Sequence, residues 1–392
     1  MAGPLEGIRI LDFTTITAGA EATGFLCDLG AEVIKVEPPT GEVGRRLTVV
    51  QPGVSTFFLP QNRGKKSIVL DVKKPEGREV ALRLARMCDA FAHNFRPGVM
   101  ERLGLGYDDV RKVSPGIVYA EGSAFGSKGP HADHGAVDII AQARGGLMAV
   151  TGDARPTPAG AILGDYIAAM HLAIGLLGAL LHRVETGEGQ KVEGSMLGSM
   201  ISAQGWEFSH YLITGRKPSP GGPGHQLFRG STWGVYETAD GYLALSSVAP
   251  AKLRQVADVV DCPELKEDRF TSPGRRGQNA EELMGLLRTA LAKKNTAELW
   301  EGLTALDVHC SPVQDYEQLA EDPQVKANEY VAEVEHPRLG RIRMAGNPLK
   351  FSQTPLELAA SAPELGQDTD AVLRWAGYAD DEIADLRSKQ VI

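Results

Sequence analysis

The chain has 392 residues, 43% hydrophobic and 23% charged, which is ordinary for a soluble globular protein of two domains or of one domain with a lobe. Its net charge of −9 argues against non-specific nucleic-acid binding. The four cysteines are scattered, with no CxxC and no paired histidine spacing, so we expect no disulfide framework, no metal site and a reducing compartment. No export signal is visible at the N-terminus, and we therefore expect a cytoplasmic protein.

Strands and helices alternate along the first 126 residues. Short apolar runs predict strands over residues 8–13, 31–39, 67–72, 90–95 and 116–126, with helices between most of them. This alternation predicts an α/β fold whose Rossmann-like, mostly parallel sheet is covered by helices on both faces. No G-x-G-x-x-G follows the first strand, which argues against dinucleotide binding in the usual manner.

In parallel sheets of this kind, ligands bind beyond the carboxyl ends of the strands. The segments expected around that crevice are Thr14–Ala18, Glu37, Asp71, Asn94–Arg96 and Ser123–Gly126. Basic residues cluster near the same predicted edge: Arg45, Arg46, Arg63, Lys65, Lys66, Arg96 and Arg102. Such a cluster suits a phosphorylated ligand. A solvated basic rim explains it equally well, since lysine and arginine are mostly surface residues.

A long apolar helix is predicted within residues 160–190. Every residue from Leu172 to Leu181 is apolar or glycine, which predicts a helix buried on nearly all sides, and the run is too short to span a bilayer. Asp165 stands directly ahead of this run. Spacing leaves two interpretations of Asp165 open, a helix N-cap and a carboxylate nucleophile at the mouth of a cleft. Before this helix, residues 137–152 predict a helix and a short strand, and after it a strand and a long helix are expected.

The second half of the chain predicts a separate α+β lobe. Residues 216–231 are rich in proline and glycine, Asp240-Gly241 indicates a β-hairpin, and helical runs follow at 250–260, 280–293 and 296–305. Short strands and two helices are then expected in the C-terminal part. We therefore predict a large α/β domain over 1–200, a linker helix and glycine-rich loop over 201–230, a small α+β domain over 231–330, and a return to the large domain over 331–392.

The glycine-rich segment and the histidines are ambiguous from composition. Gly221–Gly224, followed by His225, fits a lid whose N–H groups meet an acyl oxygen, and it fits a plain interdomain linker equally well. The histidines match neither a hydrolase nucleophile elbow nor a zinc pattern, so we expect most of them to be packing or surface residues. They include His93, His131, His134, His171, His225 and His309.

Six blocks of the sequence, in order, resemble the class III CoA-transferase family (CaiB/BaiF), which includes formyl-CoA and carnitine CoA-transferases. The blocks are PLEGIRILDFTTITAGAEATGFLCDLGAEVIKVEPP, NRGKKSIVLDVKKPEG, HNFRPGVMERLGL, DIIAQARGGLMAVTG, GDYIAAMHLAIGLLGALLHR followed after six residues by GQ, and GNPLKFSQTP with APELGQDTDAVLRWAGYADDEI. They cover nearly the whole chain. The resemblance implies an acyl-CoA:carboxylate CoA-transferase built as a homodimer of two interlocked, ring-like chains.

The resemblance also implies a mechanism and a set of site residues. The family's catalytic aspartate falls on Asp165, which would form a mixed anhydride with the donor acyl group and then an aspartyl-CoA thioester. Coenzyme A would be a substrate carried by the acyl-CoA donor, with a carboxylic acid as acceptor and no permanently bound cofactor. The family's CoA contacts fall on Thr15, Ile16, Thr17, Ala18, Leu70, Asp71, Asn94, Phe95, Arg102, Val137 and Asp138. Its substrate loop is represented by Gly221, Gly222, Gly224 and His225.

The chain departs from formyl-CoA transferase at several of these positions. Thr17 replaces a glutamine, Pro38 an arginine, Gly135 a lysine and Val137 a tyrosine, which weakens the case for formate and oxalate as substrates. Related α-methylacyl-CoA racemases carry a catalytic histidine where this chain has Val137, and a valine cannot move a proton. A third alternative is an inactive CoA-binding or scaffold protein, against which the presence of Asp165 argues. No nucleic-acid or membrane partner is expected.

Overall fold

The computed structural model of the chain describes residues 3–153, 155–218, 220–222, 224–228, 231–356 and 360–392. The chain divides into two compact units. Unit 1 comprises Met1–Gly145, Gly160–Gln204 and Gln324–Ile392, and unit 2 comprises Gly146–Ala159 and Gly205–Pro323. These boundaries differ from the predicted ones, because residues 205–230 belong to unit 2 and are not a linker. Backbone bonds explain the difference: Gly221 donates to Val150, and Gly222 donates to Gly152.

Unit 1 is built on a six-stranded sheet in which every neighbouring pair is parallel. Its strands, numbered in chain order, are β1 (Arg9–Asp12), β2 (Glu32–Glu37), β5 (Lys66–Val69), β6 (Ala90–His93), β7 (Val118–Ser123) and β8 (Lys191–Ser195). A separate antiparallel pair, β3 (Val49–Gln51) and β4 (Val54–Ser55), lies between β2 and β5 in the chain. The spatial order β5-β2-β1-β6-β7-β8 is that of a doubly wound Rossmann sheet. The predicted α/β class is confirmed.

Both faces of this sheet are buried, as the near-continuous apolar strands predict. Because side chains alternate along a strand, Leu11 and Phe91 pack into one hydrophobic cluster while Ile10 and Ala90 pack into another. The first cluster is completed by the helices Pro75–Ala85 and Tyr107–Val113 and by the two C-terminal helices, and the second by the helices Ile16–Asp28 and Leu163–Thr186. The helices of unit 1 are α1 (Ile16–Asp28), α2 (Phe58–Asn62), α3 (Pro75–Ala85), α4 (Val99–Arg102), α5 (Tyr107–Val113), α6 (Asp138–Arg144), α8 (Leu163–Thr186), α9 (Met196–Ala203), α18 (Thr369–Trp375) and α19 (Asp380–Ser388).

The central helix α8 is buried on one side and exposed on the other, although its sequence is apolar on both sides. Leu172 and Leu176 are buried in the core cluster that also contains residues of α1 and the sheet, whereas Ile174 is 63% exposed and Leu181 is also exposed. The prediction of a helix buried on nearly all sides is therefore wrong for the single chain. The helix lies within the predicted residues 160–190. Its apolar run was expected to be too short to span a bilayer, but by length and composition alone the 24-residue helix would suffice to cross a membrane. Its buried stripe nonetheless packs in unit 1 as a core helix does.

Two local predictions are corrected by backbone geometry. The long helix expected after β8 is broken at Gln204, whose side-chain amide donates to the carbonyls of Gly145 and Met200. The short strand expected near residue 150 is instead the helix α7 (Leu147–Val150) of unit 2. Its bonds are local, as in the donation from Thr151 N–H to Leu147, so it does not act as a strand.

Unit 2 is an α+β unit, as the sequence predicts for this region. Its antiparallel sheet has the order β11-β10-β9, and the predicted hairpin at Asp240-Gly241 joins two of these strands. The elements of unit 2 after α7 are α10 (Gly205–Thr214), β9 (Gly234–Glu237), β10 (Tyr242–Leu245), α11 (Leu253–Val259), α12 (Asp268–Thr271), α13 (Pro273–Arg276), α14 (Ala280–Leu291), α15 (Thr296–Ala305), β11 (Cys310–Pro312) and α16 (Tyr316–Glu321). At the unit boundary lies α17 (Pro323–Ala327), and the hairpin β12 (Val331–His336) and β13 (Gly340–Ala345) follows in unit 1.

Candidate active site

A cavity of about 520 Å³ lies in unit 1 beyond the carboxyl ends of β1, β6, β7 and β8. It opens at the point where the strand order reverses between β1 and β6, which is where ligands bind in doubly wound sheets. Several of the residues predicted for the site line it together. They are Thr15, Ile16, Ala18, Asn94, Phe95, Val137 and Asp165.

Asp165 is the third residue of α8, and it lines this cavity while only 6% of the residue is exposed. The N-cap position belongs to Ile162, so the interpretation of Asp165 as the N-cap residue is wrong. The pKa of Asp165 is raised to about 6, mainly by burial and to a smaller extent by the negative charge of Asp138. A carboxyl group with this pKa is mostly ionised at pH 7 and yet holds a proton far more readily than a solvated aspartate.

The turn between β1 and α1 forms one wall of the cavity and is held by side chains from distant parts of unit 1. Asn94 clamps Thr15 by accepting from its N–H (2.8 Å) and donating to its carbonyl (2.7 Å). Lys35 donates to the carbonyl of Thr14 (2.9 Å), and Asp12 accepts from the N–H of Thr14 (2.8 Å). Ile16 has a φ of +56°, which is a rare and strained backbone conformation for a β-branched residue. Such a conformation persists only where the surrounding structure imposes it.

Asn94 and Asp138, both predicted as CoA contacts, use their side chains within the protein. The whole amide of Asn94 is taken by Thr15, so it shapes the cavity wall through that backbone. Asp138 does not line the cavity, and its two carboxylate oxygens accept from the N–H of Gly164 and from the amide of Gln142. In the described structure, Asn94 lines the cavity and also fixes the backbone of Thr15, whereas Asp138 acts on the site through the backbone of Gly164.

The structure does not bring the remaining predicted CoA contacts to the cavity lining. The Thr17 side chain is fully buried, and its hydroxyl accepts from the amide of Gln61 (2.9 Å). Leu70 packs in the hydrophobic cluster on the opposite face of the sheet from α8. Asp71 follows β5, where its side chain accepts from the N–H of Lys73 (3.1 Å), and Arg102 is exposed on α4 outside the lining.

The predicted substrate loop lies in unit 2, where its histidine is firmly held. His225 Nε2 lies 2.9 Å from Glu207 Oε1, its Nδ1 accepts from the N–H of Leu227, and its ring stacks on Trp206. Because Nδ1 accepts, Nε2 carries the proton and donates to Glu207. Gly221, Gly222 and Gly224 are described with it, whereas Pro223 lies outside the described residues.

The predicted basic cluster separates into two kinds of residue. Arg45 pairs with Glu37, Arg63 with Asp28, Lys65 with Asp12 and Lys66 with Glu32. Lys65 belongs neither to a phosphate site nor to a solvated rim, because its side chain is fully buried and four acceptors lie within hydrogen-bond distance of its ammonium group. Arg46, Arg96 and Arg102 are exposed, and of these three Arg96 lines the cavity.

Several cavity residues carry no sequence signal of a binding role. His134 is exposed, which agrees with the expectation that most histidines are packing or surface residues, and it also lines the cavity, as do Ile140, Leu172 and Met196. No motif marks His134, because it lies in an irregular segment whose path only the folded chain defines. Within the part of the chain that the structure describes, no group of three or more metal-ligating side chains is positioned to hold an ion.

The model of CoA-transferase family III matches residues 5–369 of the chain. The chain belongs to CoA-transferase family III. Among its relatives, the formyl-CoA:oxalate CoA-transferase of Afipia carboxidovorans is 32% identical over 417 residues, covering 99% of this chain and 97% of that protein. The succinyl-CoA:glutarate CoA-transferase of Mus musculus is 34% identical over 380 residues, covering 95% of this chain and 86% of that protein.

Solved structures of the family share the fold. A CAIB/BAIF family protein from Brucella suis superposes with a TM-score of 0.87 at 27% identity, covering 96% of this chain and all of that one. A hypothetical protein from Mycobacterium tuberculosis gives a TM-score of 0.82 at 32% identity, covering 94% of this chain and 99% of that one. The resemblance drawn from six sequence blocks is thus confirmed. This family III chain is a CoA-transferase, with an acyl-CoA donor and a carboxylate acceptor as substrates.

An Asp165→Asn variant should be more stable than the natural chain at neutral pH. Between pH 3.8 and about 6 the folded chain keeps a proton on Asp165 that the unfolded chain has lost, so stability falls as pH rises through that window. The full loss, up to about 3 kcal/mol, is present above pH 6. Thermal unfolding should therefore show a higher midpoint for the variant at pH 7.5 and no difference below pH 4. Equal midpoints at pH 7.5 would mean that burial imposes no cost on this carboxylate.

Proposed function

We propose that Asp165 is the nucleophile that carries the acyl group and then CoA between donor and acceptor acids. The observation that supports this most is a nearly buried carboxyl group lining a cavity of about 520 Å³ at the switch point of the sheet. Nothing in the described part of the chain donates a hydrogen bond to the Asp165 side chain, so its oxygens are not committed to the fold. Its raised pKa makes the ionised form more basic while leaving it abundant at pH 7.

The proposed reaction has four displacements at carbonyl carbons. A carboxylate oxygen of Asp165 attacks the donor thioester, forming a mixed anhydride and expelling CoA thiolate. The thiolate attacks the Asp165 carbonyl, which releases the donor acid and leaves an aspartyl-CoA thioester. The acceptor carboxylate displaces the thiolate from Asp165, and the thiolate then attacks the acceptor carbonyl of the new anhydride. The acceptor acyl-CoA leaves and the Asp165 carboxylate is restored, so no net proton transfer is needed.

A carboxylate suits this exchange because its anhydride is about as energetic as the thioester that it replaces. Water would hydrolyse the anhydride, and the burial of Asp165 limits its access. The lining of the same cavity includes apolar side chains, among them Ile16, Ile140 and Leu172. That Gly221, Gly222, Gly224 and His225 contribute a closing loop stays a prediction.

We propose a small-to-medium carboxylic acid as acceptor and succinyl-CoA or a similar acyl-CoA as donor. The mouse relative is named for succinyl-CoA and glutarate, and the bacterial relative for formyl-CoA and oxalate. The apolar lining favours an acid with a carbon chain over oxalate, and Arg96 offers a cation to a second carboxylate or to a phosphate of CoA. The racemase alternative is not favoured, because the side chain at position 137 is that of valine, 60% exposed and unable to move a proton.

Covalent trapping tests the nucleophile directly. Wild-type enzyme incubated with acyl-CoA and no acceptor, then treated with hydroxylamine or borohydride, should be modified on the one peptide that contains Asp165. The Asp165→Asn variant should remain unmodified, with transfer reduced by several orders of magnitude. Asp108→Asn, which changes an exposed aspartate in the first turn of α5 outside the cavity lining, is the matched control and should behave as wild type. Modification of another acid, or an active Asn variant, would refute the assignment.

The CoA contacts are proposed from the family pattern and from the cavity lining. Arg96→Ala should raise KM for acyl-CoA about ten-fold or more with little change in kcat, since a charged hydrogen bond to a bound phosphate contributes about 1.5–3 kcal/mol. Arg102→Ala should raise KM less, because Arg102 lies outside the lining. Arg86 is exposed at the C-terminal end of α3 and lies outside the cavity lining. Arg86→Ala is therefore the control, and it should not change KM for acyl-CoA. An unchanged KM in Arg96→Ala would remove this residue from the CoA site.

We also propose that the active form is a homodimer, with interlocked ring-like chains as the family resemblance implies. In unit 1, α8 carries an exposed apolar stripe that includes Met170, Ile174 and Leu181. In unit 2, α10 has no buried residue although it is largely apolar, and Ile213 is 83% exposed. Exposed apolar surface of this extent is typical of an interface. The cytoplasmic location and the absence of nucleic-acid and membrane partners stay predictions.

The solution mass measured by light scattering should therefore be twice the 42.0 kDa of one chain. Ile174→Glu, which places a charge in the middle of the α8 stripe, should shift the mass toward one chain. A wild-type mass of one chain at micromolar concentration would contradict the dimer.

A further inference from the structure

The beginning of α8 is held by a side chain from another helix. Asp138, the first residue of α6, accepts from the N–H of Gly164, the second residue of α8, at 2.7 Å. The first N–H groups of a helix lack partners within the helix itself. The N-cap residue Ile162 supplies none from its side chain, so Asp138 does the work of a cap from outside the helix.

The Asp138 carboxylate is itself fixed. Its Oδ2 accepts from Nε2 of Gln142, one turn further along α6, at 2.7 Å, and the same nitrogen lies 3.3 Å from the carbonyl oxygen of Ala161. Gln142 is completely buried. The far end of α6 is tied to α9 by the amide of Gln204, which donates to the carbonyl of Gly145. Because both ends of α6 are tied, it forms a fixed support for the first turn of α8.

The two helices also approach each other closely at Gly164. A Cβ atom built at Gly164 would lie 3.0 Å from Oδ1 of Asp138 and 3.1 Å from Cβ of Ala141, tighter than ordinary van der Waals contact. Any larger side chain at position 164 would push the start of α8 away from α6. The next residue is Asp165, so the close approach and the hydrogen bond together determine where its carboxyl group stands in the cavity.

We propose that Asp138 is a positioning residue, which holds Asp165 at the cavity by capping the first turn of α8 through the N–H of Gly164. The proposal rests on the proposed role of Asp165 as nucleophile. It also replaces the sequence-based expectation that Asp138 contacts CoA. Small displacements of a reacting group reduce rates strongly, by up to about 100-fold for 1 Å, so a support of this kind has kinetic consequences.

The charge of Asp138 has a second effect that provides a readout. It raises the pKa of Asp165, after the larger contribution from burial. The other ionisable side chains in the cavity lining include His134 and Arg96. The elements that pack against α8 carry further ionisable groups: Glu21, Cys27 and Asp28 on α1, Arg144 on α6, Tyr119 and Glu121 on β7, and Lys191 and Glu193 on β8, whereas α9 carries none. An amide at position 138 would keep an oxygen that accepts from the N–H of Gly164 but would remove the negative charge. It therefore separates the effect of Asp138 on the position of Asp165 from its effect on the pKa of Asp165.

The experiment compares Asp138→Asn and Asp138→Ala with wild type in kcat, in KM for acyl-CoA, and in the pH profile of kcat. The Asn variant should keep kcat at pH 8 within about three-fold, and its activity should persist to lower pH because Asp165 loses its proton more easily. The Ala variant should lose about 10- to 100-fold in kcat with KM for acyl-CoA within two-fold. Asp109→Asn, which changes an acid in the first turn of α5, is the matched control and should change neither quantity.

Two outcomes would overturn the proposal. Unchanged kcat in Asp138→Ala would show that the cap is not needed, and a raised KM with unchanged kcat would make Asp138 a CoA contact instead. If the Ala variant fails to fold, the pH profile of the Asn variant decides, because an unshifted acidic limb would contradict the juxtaposition with Asp165. An active Asp165→Asn variant would refute the proposed role of Asp165 as nucleophile. An inactive Asp165→Asn variant together with a fully active Asp138→Ala variant would refute only the positioning role of Asp138.

Discussion

The cavity depends on a buried ion pair at the end of β1. Asp12 and Lys65 are both completely buried, and their charged groups lie 2.9 Å apart. Burial alone would raise the pKa of Asp12, but Lys65 and Lys35 hold it below its usual range. One carboxylate oxygen faces Lys65 and Thr23 while the other accepts from Thr14, so the pair also sets the direction of the turn into α1. Breaking such a pair leaves an unpaired buried charge, which costs several kcal/mol.

The ion pair of Asp12 and Lys65 lies beside a stretch of the cavity wall, Thr15 and Ile16, whose backbone is irregular. Thr15 is clamped by Asn94, and Ile16 adopts a left-handed backbone conformation that a β-branched residue rarely takes. Such a conformation persists only where the surroundings determine it from several sides. The same principle appears at α8, where Asp138 and the tight contact at Gly164 hold the helix start. Two turns that a ligand would contact are thus both fixed by residues distant in sequence.

The ionised carboxylate of Asp165 lowers the stability of the fold, which fits its proposed role as the nucleophile. Burial disfavours the ionised form of Asp165, and Asp138 adds a second negative charge nearby. A core optimised for stability would pair this carboxylate or replace it. An unpaired carboxylate beside an apolar lining is instead what a nucleophile requires, since it remains reactive and shielded from water. The two hydrophobic clusters on the faces of the sheet stabilise unit 1 and offset the cost of the buried carboxylate.

The sequence by itself determined the class of the fold and the family, and it identified Asp165 as the candidate nucleophile. Apolar strands alternating with helices specify a parallel sheet, because such strands must be buried on both faces, and the same pattern locates ligands at the carboxyl ends. Only the tertiary structure decided which polar residues near that edge face the cavity. Thr17 and Asp138, both expected at the site, lie outside the cavity lining, and their side chains bond to Gln61 and to the N–H of Gly164. Asn94 does line the cavity, with its amide bonded to the backbone of Thr15. His134 lines the cavity without any motif. Hydrogen-bond partners tens of residues apart depend on how the helices pack, and local sequence patterns carry no record of that packing.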